Sequence, residues 1–86
     1  MSNGFGPYDV TDLRTLRAWE ALQAAGVGAR VIATKTGVDC RAVREGEQGV
    51  IVSWGRWRYG VRIRRDGYRS LTTYHCTYWR PEAEHA

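Results

Sequence analysis

Residues 56–64, RWRYGVRIR, alternate between arginine and an apolar or aromatic residue, with Gly60 in one arginine position. This alternation constrains the fold more than any other feature of the chain, because successive side chains of a β-strand point to opposite faces of a sheet. It predicts a strand whose core face carries Trp57, Tyr59, Val61 and Ile63. The opposite face carries Arg56, Arg58, Arg62 and Arg64.

A helix is predicted over residues 11–26, ahead of the strands. Thr11 or Asp9 can cap its first turn, and Gly26 is a natural C-terminal stop. A broad apolar side is formed by Leu13, Leu16, Trp19 and Leu22. We expect this helix to pack on the sheet, and a helix that binds a partner is the alternative.

The period of the sequence changes from residue 29 onward, where short β-branched and aromatic runs alternate with turn residues. Strands are predicted at 29–36, 49–54, 56–64 and 68–79, with a short extended piece at 42–44. Asp66-Gly67 is predicted to form a type I′ turn in a two-residue hairpin loop. Pro81 is expected to end the last strand because it has no N–H to donate.

The order of these elements resembles an SH3-like small β-barrel of the KOW or Tudor kind over residues 29–80. The resemblance rests on VREGEQGVIVSW at 43–54, YGVRI at 59–63 and RDGYRSL at 65–71. It implies an α+β, mainly β fold with one N-terminal helix packed on a small antiparallel barrel. Such barrels bind RNA, DNA, ribosomal or polymerase surfaces, or peptides, so the resemblance implies a binding module without choosing its ligand.

Length and sequence ends favour one domain over residues 1–86, with a flexible segment at 1–10 and an acidic tail at 81–86. Residues 1–40 have no net charge, whereas residues 41–80 carry nine arginines against three acidic residues, a net of +6. This concentration is typical of a surface that binds polyanions. A high-GC genome, which replaces lysine by arginine, is the alternative explanation of the composition.

A two-residue hairpin loop would place Arg64 opposite Arg69 and Arg58 opposite His75. Like charges across a ladder repel, and an anion over this face would relieve the repulsion. The sequence therefore predicts binding of nucleic-acid phosphates. The predicted site residues are Arg56, Arg58, Arg62, Arg64, Arg69 and His75. A solvated outer face would give the same alternation, and a three-residue loop would break the Arg64–Arg69 pairing.

Trp54 and Trp79 are candidates for stacking on bases if they are exposed. The alternative is that both tryptophans are partly buried and close the ends of the barrel. We expect Cys40 and Cys76 to be free thiols, because the chain has no CxxC motif and lacks a signal sequence.

The sequence predicts no metal site, cofactor, small-molecule substrate or membrane span, and a location in the cytoplasm. No nucleophile or phosphate-loop motif is present, so we expect a binding protein and not an enzyme. Nucleic acid is the first predicted partner. The alternative is a protein-interaction module, such as a small phage-type regulator or inhibitor that docks on an acidic protein surface.

Overall fold

A computed structural model describes residues 13–35 and 43–83 of the chain. These residues form one α-helix and a five-stranded antiparallel sheet, so the predicted α+β, mainly β class is confirmed. In chain order the elements are α1 (Leu13–Ala25), β1 (Arg30–Ala33), β2 (Gln48–Trp54), β3 (Gly60–Arg65), β4 (Thr72–His75), a 3-10 helix (Cys76–Tyr78) and β5 (Trp79–Pro81).

The strands lie in the order β4-β3-β2-β1-β5. Strands β1 to β4 form a meander, and β5 returns to pair with β1. Within the described ranges β4 and β5 lie at the two edges and do not pair with each other, so the sheet is open. Pro81 is the last residue of β5, as its missing N–H predicts.

The α-helix ends where its sequence predicts. Gly26 adopts φ +84°, and its N–H donates to the carbonyl of Leu22 over 2.9 Å, which caps the last turn. Leu22 is completely buried, whereas Leu13 is 65% exposed and does not belong to the buried side of the helix. A repeat of three residues drifts around a helix of 3.6 residues per turn, so one face cannot bury the whole series.

The hydrophobic core lies between α1, the 3-10 helix and the inner face of the sheet. Its buried members are Leu22, Val31, Ala33, Val43, Ile51, Val61, Ile63, Tyr74, Cys76 and Trp79. Val61 and Ile63 are buried, whereas Arg62 between them and Arg64 after them are exposed. The predicted alternation is therefore confirmed for this part of β3.

Three predicted strands are shorter in the structure than in the sequence analysis. The first of them, predicted at 29–36, is β1 at Arg30–Ala33. β3 begins at Gly60, because residues 55–59 form the turn after β2. The segment predicted as one strand at 68–79 contains a loop, β4, the 3-10 helix and the start of β5. The 3-10 helix interrupts the extended backbone at Cys76, which lets the chain cross from one edge of the sheet to the other.

The predicted hairpin register is wrong. β3 and β4 pair Ile63 with Thr72 and Gly60 with His75, so neither Arg64 with Arg69 nor Arg58 with His75 is a cross-strand pair. The N–H of Tyr68 donates to the carbonyl of Arg65 over 3.0 Å, and only Gly67 of the central residues has a positive φ, +87°. A type I′ turn needs positive φ at both central residues, so this turn is of another type.

Several predictions concern residues outside the described ranges. They are the flexible N-terminus at 1–10, the helix cap at Thr11 or Asp9, the free thiol of Cys40 and the end of the acidic tail at 84–86. Within the described part of the tail, Glu82 donates its backbone N–H to the carbonyl of Arg30 over 2.9 Å. Glu82 is therefore held against β1.

Candidate functional site

The register of the sheet sorts the outer side chains into rows, because antiparallel partners lie on the same face. One row, next to the turn at 55–59, contains Ser53, Arg62 and Thr73. The next row contains Arg64, Val50 and Arg30. Along β3, Arg62 and Arg64 are two residues apart, which separates their α-carbons by about 7 Å.

The turn between β2 and β3 is fixed by backbone hydrogen bonds. The N–H of Gly55 donates to the carbonyl of Gly60 over 2.8 Å. The N–H of Gly60 donates to the carbonyl of Trp57 over 3.0 Å. The carbonyl of Tyr59 accepts the N–H of Cys76 over 2.9 Å, which ties the turn to the end of β4. These bonds hold the turn in one position relative to the sheet.

Tyr59 determines which way the turn faces. It is the one non-glycine among the described residues with a positive φ, +63°, a conformation that costs about 1–2 kcal/mol. Its ring is half-buried and packs edge-on against Trp19, with 5.6 Å between ring centroids. The inserted ring stabilises the unusual backbone and ends the alternation of faces before β3 begins.

Trp57 is consequently not a core residue, and that prediction is wrong. The residue is 44% exposed. Part of its indole lies against Gly60, where an added Cβ would stand 3.2 Å from two ring carbons. Gly60 is the sequence signal that was missed, since a glycine inside a strand pattern often marks a close approach of another group.

An open depression of about 310 Å³ lies at this end of the sheet. We call it the tip depression, and its lining residues are Trp54, Arg56, Trp57, Arg62 and Thr73. Three of the predicted site residues, Trp54, Arg56 and Arg62, therefore come together here. No acidic residue lines the tip depression within the described part of the chain.

Trp54, at the end of β2, lines the tip depression. Its ring packs edge-on against Trp19 with 5.4 Å between centroids, and it is half-buried against the core. Trp54 therefore mainly connects the turn to the helix, and little of its ring is available to a ligand. The exposed ring of the tip depression belongs to Trp57.

The other predicted arginines lie outside the tip depression. Arg58, in the same turn, places its guanidinium 5.2 Å from the centroid of the Tyr59 ring. Arg64 lies on the outer face one row away, and Arg69 is exposed in the loop after β3. None of these three forms a salt bridge with a carboxylate that the structure describes.

Two predicted site residues contribute to the fold and do not belong to the tip depression. Trp79 is only 1% exposed and belongs to the core, so it is not available for stacking on a base. His75 is half-buried at the start of the 3-10 helix, where its Nδ1 lies 2.8 Å from Oγ1 of Thr77 and accepts the Thr77 N–H. His75 does not lie opposite Arg58, because its cross-strand partner is Gly60.

The opposite end of the outer face carries arginines that are already paired. Arg30 donates to both carboxylate oxygens of Asp66, over 3.0 and 2.6 Å, and its Nε lies 3.5 Å from Glu82. Gln48 also donates to Glu82, over 2.9 Å. We call these four residues the paired cluster.

The hydrogen bonds from Arg30 hold the pKa of Asp66 below its ordinary value, and the charge of Arg64 acts in the same direction. Beside this cluster, Arg65 lies 3.1 Å from a carboxylate oxygen of Glu47 and 3.9 Å from the Tyr68 ring centroid. Arg30 and Arg65 at this end of the sheet are therefore paired with carboxylates of the chain itself.

Cys76 is a free, buried thiol that donates to the carbonyl of Thr15 over 3.6 Å. Burial raises its pKa to about 11, so the thiol stays protonated near neutral pH. Residues 13–35 and 43–83 contain no cluster of three potential metal-ligating side chains. Across the same residues, no helix has the length and apolar character that crossing a bilayer requires.

Comparison of the chain with protein-family models, with curated proteins and with solved structures found no match.

Proposed function

We propose that this protein is a non-enzymatic, cytoplasmic binding domain that holds nucleic acid at the tip depression. The observation that carries the proposal is the meeting of Arg56, Arg62 and the exposed Trp57 in one open depression without a lining carboxylate among the described residues. Arginine and tryptophan supply the two contacts that sequence-independent binding of a strand requires, one to phosphates and one to bases.

The charges support a backbone contact. A guanidinium group can donate two parallel hydrogen bonds to a phosphate. Arg56 and Arg62 line the tip depression, and the exposed Arg58 and Arg64 each follow one of them by two residues in the chain. A strand crossing the end of the sheet would meet several cations in succession, and neutralisation of its phosphates would release counterions.

The exposed indole favours an unpaired strand as the ligand, and not a duplex. A base can stack on Trp57 only when its face is accessible, which is the case in a single strand or a loop. Such stacking contributes about 1–3 kcal/mol per base and tolerates any sequence. Gly60 beneath the ring and the hydrogen-bonded turn keep the indole in position before the ligand arrives.

We further propose that the fold is an SH3-like small barrel. A four-strand meander followed by a short 3-10 helix and a fifth strand that pairs with the first supports this assignment. Small barrels use loops and outer strand faces as binding surfaces, which is the placement of the tip depression.

A salt series with a labelled oligonucleotide tests the proposal. The wild-type protein is titrated into a fluorescein-labelled single strand of mixed sequence, and anisotropy is followed from low to moderate salt. We expect the logarithm of affinity to fall linearly with that of salt. Arg56→Gln/Arg62→Gln should bind about tenfold more weakly, with the slope reduced by about 0.7 for each phosphate that is no longer neutralised.

Arg14→Gln/Arg17→Gln is the matched control, since it removes the same charge from the exposed surface of the helix. It should bind almost as tightly as the wild-type protein. Equal weakening of both variants would show a general attraction to charge and refute the tip depression as the site. Absence of binding at the lowest salt would refute the nucleic-acid function, and an acidic protein surface would then become the leading candidate partner.

A further inference from the structure

A second open cleft lies between α1 and the edge strand β5. We call it the helix cleft, and its volume is about 280 Å³. Its apolar wall is formed by Ala18, Ala21 and the buried ring of Trp79, and Thr34 and Thr77 close one side. Thr34 uses its hydroxyl to donate to the carbonyl of Thr77 over 2.6 Å, so this side is already hydrogen-bonded.

Three arginines also line the helix cleft. Arg14 and Arg17 are three residues apart on α1, so they are neighbours on the helix surface, and Arg80 comes from β5. All three are exposed. No acidic side chain among the described residues lines the cleft, and no salt bridge of these arginines is formed within the same residues.

Two features define the ligand chemistry of the helix cleft. One is its apolar wall, and the other is its set of cations, which have no carboxylate partners among the described residues. The helix cleft is slightly smaller than the range of about 300–1,000 Å³ that is typical of small-molecule pockets, and it is open. It fits one apolar side chain better than a whole small ligand. The arginines at its border favour carboxylates beside that side chain, because complementary charge across an interface selects the partner.

We propose that the helix cleft is a docking site for an acidic peptide segment of a partner protein, in which one apolar residue enters the cleft between flanking carboxylates. The small side chains of Ala18 and Ala21 admit the apolar residue, and Arg14, Arg17 and Arg80 pair with the carboxylates. This site is separate from the tip depression and does not depend on nucleic-acid binding.

A labelled peptide with a central leucine between glutamates tests the proposal by fluorescence anisotropy at low salt. The wild-type protein should bind it, and replacing the leucine by serine, or the glutamates by glutamine, should weaken binding. Arg14→Gln/Arg17→Gln should weaken binding by about twofold to thirtyfold, the range expected for two exposed ion pairs. Circular dichroism of the variant checks that the helix remains folded.

Arg56→Gln/Arg62→Gln is the matched control here and should leave the peptide affinity unchanged. Lack of peptide binding by the wild-type protein, indifference to the leucine, or equal weakening by both double variants would overturn the proposal. Displacement of the bound peptide by an oligonucleotide would also overturn it, by showing that the helix cleft belongs to the nucleic-acid surface. Failure of the oligonucleotide titration alone leaves the peptide result unaffected, so the two proposals fail independently.

Discussion

Arg62 and Arg30 both extend from the outer face of the sheet, but they lie in opposite surroundings. Arg62 has Ser53 and Thr73 as its cross-strand neighbours and lines the tip depression. Arg30 is held by Asp66 and Glu82 in the paired cluster. The two positions show that arginine content alone does not define a binding surface, because a cation already held by carboxylates has less to gain from an external anion.

The same contrast holds for two of the tryptophans. Trp79 is buried beneath the helix cleft, and Trp57 lies half-exposed on a glycine at the tip depression. One tryptophan stabilises the fold, and the other is available to a ligand. Three changes, taken in decreasing order of expected effect, test this division between structural and available residues.

The largest effect is expected from Trp79→Ala. Removing this buried ring should lower the free energy of unfolding by about 3–5 kcal/mol, whereas Trp57→Ala should change it by less than about 1 kcal/mol. Urea denaturation followed by circular dichroism measures both. Trp79→Phe is the control, since it keeps an aromatic ring and removes an indole N–H that has no acceptor among the described residues. A large loss from Trp57→Ala would return Trp57 to the core.

A smaller effect is expected from Gly55→Ala, which probes how tightly the turn is held. The new Cβ would lie 2.7 Å from Cγ2 of Thr73, so β4 or the turn must shift. We expect a loss of about 1–3 kcal/mol in the free energy of unfolding, the usual cost of overpacking.

Thr73→Ser removes the methyl group that Gly55→Ala would meet. The double variant should therefore recover part of the stability that the single Gly55→Ala variant loses, as a thermal or urea melt of all four proteins can show. Additive losses in the double variant would mean that the turn does not pack on Thr73 in solution.

The smallest effect is expected from Asp66→Asn, which opens the paired cluster. Arg30 loses its bidentate partner and Arg64 loses a nearby negative charge, so the affinity for a single strand should rise slightly and its salt dependence should steepen by up to about 0.7 in slope. An unchanged slope would show that the strand does not reach this end of the sheet.

The same variant alters the acid dependence of stability. The pKa of Asp66 is lower in the folded state than its ordinary value of 3.8. The contribution of Asp66 to the stability of the fold is therefore complete at a pH above 3.8, and it is lost as the pH falls through the pKa of the folded state. The wild-type protein should therefore lose stability below about pH 4 more steeply than Asp66→Asn does. Parallel pH curves for the two proteins would contradict the Arg30–Asp66 pair.

Local patterns in the sequence predicted the elements that depend on neighbouring residues. Gly26 ends the helix, and the outward side chains of Arg62 and Arg64 follow from alternation with Val61 and Ile63. The positive charge in the second half of the chain is likewise a matter of composition. These features need no knowledge of distant parts of the chain, because helix and strand periods are set by the backbone.

Tertiary structure determined which arginines remain available. Arg30 and Asp66 are 36 residues apart in sequence and meet only because β1, β2 and β3 are neighbours in the sheet. Trp57 faces solvent because Tyr59 packs on Trp19 of the helix and imposes a positive φ on the turn. Contacts between distant residues set both outcomes, and alternation along a single strand contains no information about them.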